Sequence, residues 1–423
     1  FLSAVMAMTA FTGCGTSDNG GNDTADTKDE STSSDSDDSE KIVLEFFNQK
    51  VEAESLYNDV IIPKFQEEHP NVEIKVVSPS DAETVFFTRV STNDIPDIMS
   101  IYPAEYSYRV IMKDGLLADL SGKDFLSRAT DTAIEYSTYD DGKIYAMPYD
   151  LTSYGIYCTR NLFEEAGLET PTTWDELNSC LDAFKEKGTD TPLIFDGKGS
   201  LNQFAERLIG IIDENFADVC EEVGNGNGSF ADADKPQVRE FSEALLKLAE
   251  YAPKDILGIG RDQGTADFCN GVYPMYIGGT FYMADIMAGN PDLNCKMIPI
   301  PNPVGEHHLP INVDIALGYS ANTKYPEICE DFLEFMSRPE IYQLMADNEG
   351  TPTCIEGVNY QIDGLMDISE QIKGDNTFLT LVNFWPSGWR NEWTIYVQNL
   401  LSDGDVDALI TETDRICEQY YNQ

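Results

Sequence analysis

The chain of 423 residues contains 75 Asp or Glu and 27 Lys or Arg residues, which gives a formal net charge of −48. A surface this acidic argues against binding nucleic acid, whose phosphates require Lys and Arg, and against adsorption to an anionic membrane surface. The length predicts two folded domains, because one domain usually takes about 100–200 residues.

The first residues have the character of an export signal. Residues 1–13, FLSAVMAMTAFTG, are apolar, with small residues close to Cys14. Such a run is typical of a secretory signal, and it is shorter than the roughly 20 apolar residues that span a bilayer. Phe11–Cys14 also resembles the bacterial lipobox, in which the cysteine carries lipid on its sulfur. We expect residues 1–13 to be a lipoprotein signal peptide and Cys14 to be the lipidation site; an ordinary cleaved signal is the alternative.

The stretch after Cys14 has the composition of a disordered segment. Residues 15–40 are mostly Ser, Thr, Asp, Asn and Gly, with nine acidic residues and Lys28 as the single basic residue. Such a segment has too little apolar surface to fold. We therefore expect residues 14–40 to tether a lipid-anchored cysteine to a folded body that begins near Lys41. A disordered acidic binding tail is the alternative.

Eight further cysteines are scattered along the body, and none forms a CxxC pair. An even number is compatible with disulfides in an exported protein, but a core of this size does not need covalent links. We expect mostly buried free thiols, with one or two bridges as the alternative.

The body begins with alternating strand and helix patterns. A short apolar run predicts a buried strand, and helical spacing and strand alternation then take turns. Pro63 lies inside the first helical pattern and predicts a kink or a boundary there. In chain order we predict a strand at 42–47, a helix at 56–65, a strand at 72–77, a helix at 82–91 and a strand at 96–101. Strands and helices in this order indicate a parallel α/β unit.

The pattern starts again at residues 153–158, which predict another strand. Thr173 and Glu176 form a capping-box sequence at the start of a helix. Pro326 is placed to open a later helix, where its missing N–H has no cost.

Three stretches carry a resemblance to a known family. They are PDIMSIYPAEYSYRVIMKDGLLADLS at 96–121, DGKIYAMPYDLTSYGIYCTRNLFEEAGLETPTTWDEL at 141–177, and GYSANTKYPEICEDFLEFMSRPE at 318–340. Together they resemble an extracellular solute-binding protein of the family-1, maltose-binding type. The resemblance runs over nearly the whole body.

The resemblance implies an α/β fold: a two-lobed clamp of the type II periplasmic-binding kind, each lobe a mostly parallel sheet flanked by helices. By similarity, residues 41–150 plus 283–320 would form lobe 1, and residues 151–282 plus 321–423 would form lobe 2. Such proteins close around a sugar and deliver it to the membrane permeases of an ATP-binding-cassette importer. The resemblance further implies a monomer on the extracellular face of the cell membrane that uses no cofactor.

A sugar-binding cleft needs flat aromatic side chains for the C–H faces of the ligand and polar partners for its hydroxyls. The richest stretch is residues 383–393, where three of the four tryptophans fall within nine positions. We expect Trp385 and Trp389 to stack on the ligand, and Trp393 to belong to the core. For Trp393, ligand contact is the alternative to this role in the core.

The remaining candidate contacts lie at predicted strand ends and at the lobe crossings. By similarity to the maltose-binding pattern, they are Asn48, Lys50 and Glu54 after the first strand, Tyr102 and Glu105 after the third, Tyr149 and Asp150 at the first crossing, and Gly279 and Phe281 at the second. At Phe281 the family usually has a tryptophan. A solvated turn is the alternative reading for the loop at residues 48–54.

Other site types fit the sequence poorly. The acidic residues at 403–407 alternate as in a calcium loop, but the position that requires Gly is Ala408, so we favour helix capping and expect no metal site. The sequence has no GxSxG or HExxH motif. We therefore expect a binding protein rather than an enzyme. The alternatives are a binding protein for a peptide, polyamine or polyol and, less favoured, a secreted glycoside hydrolase.

Overall fold

Two mixed β-sheets surrounded by helices form the part of the chain that the computed structural model describes, residues 41–103, 105–139, 141–374, 376–386 and 388–422. The expected signal peptide, Cys14 and the expected tether lie outside these residues. Among the residues described, every helix is too short or too polar to cross a membrane.

The strands are mostly short apolar runs, and seven of them are buried along their whole length. Burial on both faces explains why these runs are continuous rather than alternating. The strands are β1 (Ile42–Phe47), β2 (Val72–Val77), β3 (Ile98–Ile101), β4 (Met147–Pro148), β5 (Leu151–Thr159), β6 (Leu193–Phe195), β7 (Met275–Gly279), β8 (Cys295–Pro299), β9 (Leu309–Val313), β10 (Ala316–Tyr319) and β11 (Thr377–Leu379).

The helices pack around the two sheets. Helix α7 begins with the predicted capping box, in which Thr173 and Glu176 each bond the other's backbone. The helices are α1 (Glu54–Leu56), α2 (Ile62–Glu68), α3 (Ala82–Ser91), α4 (Tyr106–Lys113), α5 (Asp131–Ser137), α6 (Arg160–Ala166), α7 (Trp174–Glu186), α8 (Leu201–Ile212), α9 (Phe216–Gly224), α10 (Gln237–Ala249), α11 (Arg261–Cys269), α12 (Met283–Gly289), α13 (Pro326–Met336), α14 (Pro339–Glu349), α15 (Met366–Gln371), α16 (Trp389–Asp403) and α17 (Val406–Tyr421).

The first sheet has the strand order β2-β1-β3-β10-β4. Strand β1 pairs in parallel with β2 and β3, as the α/β pattern predicted, whereas β10 is antiparallel to both β3 and β4. We call this sheet, with the helices packed on it, the first half of the protein.

The second sheet has the order β11-β9-β5-β7-β6, with β8 pairing on β5 beside β9. Only β11–β9 and β6–β7 are parallel pairs. We call this sheet and its helices the second half. Both sheets are therefore mixed, not mostly parallel as expected, because the chain that crosses between the halves re-enters each sheet as an antiparallel strand.

The division of the chain between the halves also differs from the expected one. Residues 283–320 were expected in lobe 1, yet β8 and β9 pair with β5 of the second sheet, and only β10 joins the first. Conversely, α13 was expected in lobe 2, but Phe332 packs on Phe46 and Phe65 in the first half. The first crossing therefore stays near Asp150, the second lies around Asp314, and the chain must cross again between α13 and β11.

The predicted helix at 56–65 is interrupted. Its middle, Tyr57–Ile61, forms a π turn, and α2 starts at Ile62, so that Pro63 occupies the first turn. A proline is tolerated there, because its missing N–H would have no partner in a helical first turn. Asp405 caps α17 by accepting from Ala408 N, as the capping interpretation of residues 403–407 predicted.

The eight cysteines of the described body are all buried and free, which confirms the predicted free thiols. Burial raises the pKa of the Cys329 thiol to about 12 and also raises that of Cys295. Among the residues described, no group of three or more His, Cys, Asp or Glu side chains could hold a metal ion.

Candidate functional site

A cavity of about 540 Å³ lies between the two halves, and we call it the main cavity. Its volume is within the roughly 300–1,000 Å³ of typical ligand pockets. The first half contributes residues that follow β1 and β3, together with the start of α3. This placement agrees with the rule that parallel strands present ligand-binding residues at their carboxyl ends. The lining residues of the first half are Gln49, Lys50, Val51, Ser80, Asp81, Ala82, Glu83, Tyr102 and Glu105.

The second half supplies the opposite wall from six separate segments. These are β5, α8, the start of α11, the turn after β7, the end of β9, and the stretch that leads from β11 into the start of α16. The lining residues of the second half are Thr152, Gln203, Arg207, Arg261, Phe281, Asn312, Asp314, Val382 and Arg390. The cavity is therefore a site that neither half forms alone.

Lys50 is held in place by a buried network at the crossing between the halves. Its Nζ lies 2.8 Å from Oδ2 of Asp150, and only 1% of the Asp150 residue surface is exposed. Asp150 Oδ1 also accepts a hydrogen bond from Ile315 N at 3.0 Å. Lys50 reaches the main cavity, whereas Asp150 lies behind it and positions the lysine.

Asn48 organises the loop that carries Lys50. Its Nδ2 donates to the carbonyl oxygen of Lys50 at 2.7 Å and to Ser78 Oγ at 3.0 Å, while its Oδ1 accepts from Lys50 N. The side chain is fully buried and does not line the main cavity. Its position indicates a role in holding the loop.

The neighbouring Gln49 is a lining residue that the sequence analysis missed. Its Nε2 donates to the carbonyl oxygen of Ser100 at 2.7 Å, and its Oε1 accepts from Tyr108 OH at 2.6 Å. These bonds tie the loop after β1 to β3 and α4. Burial raises the pKa of the Tyr108 phenol, which therefore stays protonated as the donor.

Phe281 is the aromatic ring of the second half that faces the main cavity. The Arg261 guanidinium lies 5.3 Å from the centre of the Phe281 ring, and its Nη2 donates to the Phe281 carbonyl oxygen at 3.0 Å. Gly279 makes room for this ring, because a Cβ at position 279 would lie 2.1 Å from a Phe281 ring carbon. Gly279 thus sets the ring position without lining the cavity.

Four basic side chains of the cavity wall each form an ion pair, namely Lys50, Arg207, Arg261 and Arg390. Arg207 forms an ion pair with the buried Glu206, whose other oxygen accepts from Val382 N at 3.1 Å. Arg261 pairs with Asp285 at 2.6 Å. Such pairs give a neutral polar ligand both donors and acceptors without an excess of one charge.

One ion pair joins the two halves directly across the cavity. Arg390 Nη2, in the first turn of α16, lies 3.1 Å from Oε1 of Glu105, which precedes α4. Beside this pair lies Glu83, whose pKa is raised by desolvation and by the charge of Glu105, while Arg390 opposes the shift.

The tryptophans of residues 383–393 form a core cluster in the second half. Trp385 and Trp389 stack with ring centres 4.1 Å apart, and Phe216 packs against both of them and against Trp393. All three indoles are at most 1% exposed, and none lines the main cavity. Trp385 alone reaches a smaller neighbouring cavity.

The candidates thus separate into three groups. The structure brings Lys50, Tyr102, Glu105 and Phe281 together at the main cavity. Asn48, Asp150 and Gly279 lie behind them as supports. Tyr149 is buried with its OH 3.0 Å from Tyr57 OH, Glu54 opens α1, and Trp389 lies in the core.

Several lining residues were missed in the sequence. Gln203 and Arg207 lie one turn apart on α8, a spacing that puts them on one helix face. Arg390 lies inside the tryptophan-rich stretch 383–393, and its position one residue after Trp389 places it at the start of α16. Arg261, Asn312 and Asp314 carry no local signature, because only the fold brings their segments to the cleft.

Known proteins provide an independent comparison. The family model described as bacterial extracellular solute-binding protein matches residues 61–375. The chain is 26% identical over 361 residues to the multiple sugar-binding protein of Streptococcus mutans, covering 82% of this chain and 84% of that one. It is 23% identical over 316 residues to the melibiose/raffinose/stachyose-binding protein MelE of Bacillus subtilis, covering 70% of each.

Solved structures show the same fold. RafE from Streptococcus pneumoniae in its apo form superposes with a TM-score of 0.78 at 26% identity, covering 90% of this chain and 99% of that one. RafE in complex with raffinose gives a TM-score of 0.77 at 27% identity, with 90% and 100% covered. These likenesses confirm the two-lobed solute-binding fold and the resemblance found in the sequence. The chain belongs to the bacterial extracellular solute-binding protein family.

Proposed function

We propose that this protein is the oligosaccharide-binding subunit of an ATP-binding-cassette importer. It captures a sugar between its halves and presents it to the membrane permeases. The observation that carries the proposal is the main cavity, whose walls come from both halves and combine aromatic rings with paired charged and amide side chains.

The chemistry of the cavity suits a carbohydrate. Phe281 and Tyr102 provide flat apolar faces on opposite walls, where the C–H faces of a sugar ring can stack. Arg207, Asp314 and Asn312 offer donors and acceptors for hydroxyls. Charged partners make the stronger hydrogen bonds to hydroxyl groups once water has left.

The relatives support a sugar as the ligand. The S. mutans protein is named for binding multiple sugars, and the B. subtilis protein for melibiose, raffinose and stachyose. RafE has been solved with raffinose. An oligosaccharide of neutral hexoses is therefore the ligand class that we propose for this chain.

Binding would act by stabilising the closed arrangement of the halves. A ligand shifts a conformational equilibrium only if it binds one state better than the other. A sugar held by Lys50 and Tyr102 from one half and by Arg207 and Phe281 from the other has this property. The closed protein would then dock on the permeases.

We further propose a monomer that is held on the extracellular face of the membrane by lipid on Cys14 and that leaves the bonds of the sugar intact. The lipobox-like sequence before Cys14 and the acidic stretch after it support the anchor. Membership of a solute-binding family supports binding without chemistry.

The test is a thermal-shift screen followed by calorimetry on the purified body. The panel contains glucose, galactose, melibiose, raffinose, stachyose and malto-oligosaccharides, with amino acids, short peptides, spermidine and sorbitol for comparison. A ligand at 100 times its Kd should stabilise the protein by about 2.7 kcal/mol. Stabilisation by an oligosaccharide is the expected result.

Two other results would contradict the proposed sugar-binding function. A shift with a peptide, spermidine or sorbitol and none with any sugar would assign a different solute. Products of sugar cleavage after incubation, detected by chromatography, would show a glycoside hydrolase.

A further inference from the structure

A second cavity of about 330 Å³, which we call the end cavity, adjoins the main cavity. The two cavities share four lining residues: Glu83, Glu105, Val382 and Arg390. Two of these, Glu105 and Arg390, form the ion pair between the halves. The pair therefore stands at the junction between the two spaces.

The ion pair is well placed to act as a barrier. The Arg390 side chain is 17% exposed and that of Glu105 is 36% exposed, so both are partly withdrawn from solvent. A ligand that passed between them would separate two partly desolvated charges. Separating these charges costs more than breaking a fully exposed pair and less than breaking a fully buried one.

The end cavity itself has the chemistry of a sugar subsite. The indole of Trp385, which is only 1% exposed, and the apolar ring of Pro386 line it. Ser107 and Asn391 supply a hydroxyl and an amide. These side chains are present behind the barrier although the main cavity already provides its own aromatic and polar partners.

We propose that the Glu105–Arg390 ion pair closes the sugar cleft at this end and sets the length of the oligosaccharide that the protein accepts. The last unit of a sugar that fits the main cavity contacts the ion pair. A longer sugar must separate Glu105 from Arg390 before its next unit can reach Trp385. The proposal rests on the proposed function, because it concerns the chain length of the same ligand class.

The experiment compares the wild-type body with the double variant Glu105→Ala/Arg390→Ala. Calorimetry gives the Kd for melibiose, raffinose, stachyose and verbascose, and for malto-oligosaccharides of two to five units. We expect wild-type affinity to fall beyond a certain length. In the double variant, the affinity for the first longer sugar should rise about tenfold relative to that for the last accepted one.

Two further variants separate the barrier from a general contact. Charge reversal by Glu105→Arg/Arg390→Glu keeps an ion pair and should restore the wild-type length preference. The exposed pair of Arg239 and Asp407 serves as a control, and its removal by Arg239→Ala/Asp407→Ala should leave the preference unchanged.

Tryptophan fluorescence gives a second readout that does not depend on affinity ratios. Trp385 borders the end cavity, so a sugar unit that enters there should shift the emission of the double variant but not that of the wild type. Arg390→Ala alone provides the same measurement if the double variant does not fold.

The outcomes distinguish the two proposals. An equal loss of affinity at every length, or an unchanged length preference with unchanged fluorescence, would overturn the barrier while the sugar-binding function stands. Absence of binding to every sugar, in the wild type and in the variants, would contradict both.

Discussion

The ammonium group of Lys50 lies 2.8 Å from the carboxylate of Asp150, and the two side chains are only 9% and 1% exposed. Lys50 follows the first strand of the first sheet, whereas Asp150 joins the last strand of that sheet to the second. The pair therefore fixes a cavity residue to the crossing between the halves.

We expect Lys50→Met to lower the free energy of unfolding by about 3–5 kcal/mol, since removal of one partner leaves a buried charge uncompensated. Urea denaturation followed by circular dichroism measures this change. The exposed pair Lys41–Glu73 provides the control, and Lys41→Met should cost at most about 1 kcal/mol. Equal effects of the two substitutions would contradict the role of the buried pair.

Phe281→Leu tests the aromatic wall of the cavity. Leucine keeps an apolar side chain but loses the flat ring face, so stability should change by less than about 1.5 kcal/mol. Stacking on an aromatic face is worth about 0.5–1.5 kcal/mol, so the affinity for the best-binding sugar should fall about three- to tenfold by calorimetry. Phe384→Leu, at an exposed ring outside the main cavity, is the matched control. If Phe281→Leu binds the sugar with the wild-type Kd, the Phe281 ring does not contact the ligand.

Trp389→Ala should act on the fold and not on the ligand. The indole is fully buried against Trp385 and Trp393, so we expect a loss of about 3–5 kcal/mol in the free energy of unfolding. The Kd of the folded protein for sugar should stay within about twofold of the wild-type value. Trp174→Ala, at a partly exposed tryptophan, should cost clearly less stability. Loss of sugar binding with normal stability would instead make Trp389 a ligand contact.

His307 should make stability depend on pH. Burial lowers the pKa of its imidazole, which outweighs the opposing effect of a hydrogen bond with the Ile300 backbone. Below about pH 6.5 the unfolded chain therefore binds a proton that the folded protein resists, so folding stability falls as the pH falls.

The measurement is the melting temperature between about pH 7.5 and pH 5, for the wild type and for His307→Phe. Phenylalanine cannot titrate, so the decrease on acidification should be smaller in the variant. Identical pH profiles would show that His307 gains its proton as readily in the folded protein as in the unfolded chain.

Short sequence patterns correctly predicted those helices and strands that neighbouring residues determine. The alternation of Val72–Val77 and the capping box at Thr173 predicted β2 and the start of α7, because pleat and cap are set by neighbouring residues. Strand direction was predicted less well. Strand β10 is antiparallel to β3 because of the way the chain crosses between the halves. A short sequence pattern does not reveal that path.

The site was predicted where strands of the first half lead into it. Lys50, Tyr102 and Glu105 follow β1 and β3, and the order of these elements was visible in the sequence. The tryptophans show the opposite case. Because α16 starts at Trp389, Trp393 lies one turn further along the same helix face, and both indoles turn towards Phe216 in the core. Their density in the sequence reflected helix packing.

The eight buried, unbridged cysteines have a consequence for how this protein matures. In the described body no covalent link between distant segments has to form before the native state is reached. Folding after export therefore needs no thiol oxidase, and a denatured chain can regain its structure in reducing buffer without scrambled bridges. Because no disulfide in the described body links the two halves, only the crossings of the chain itself join them covalently.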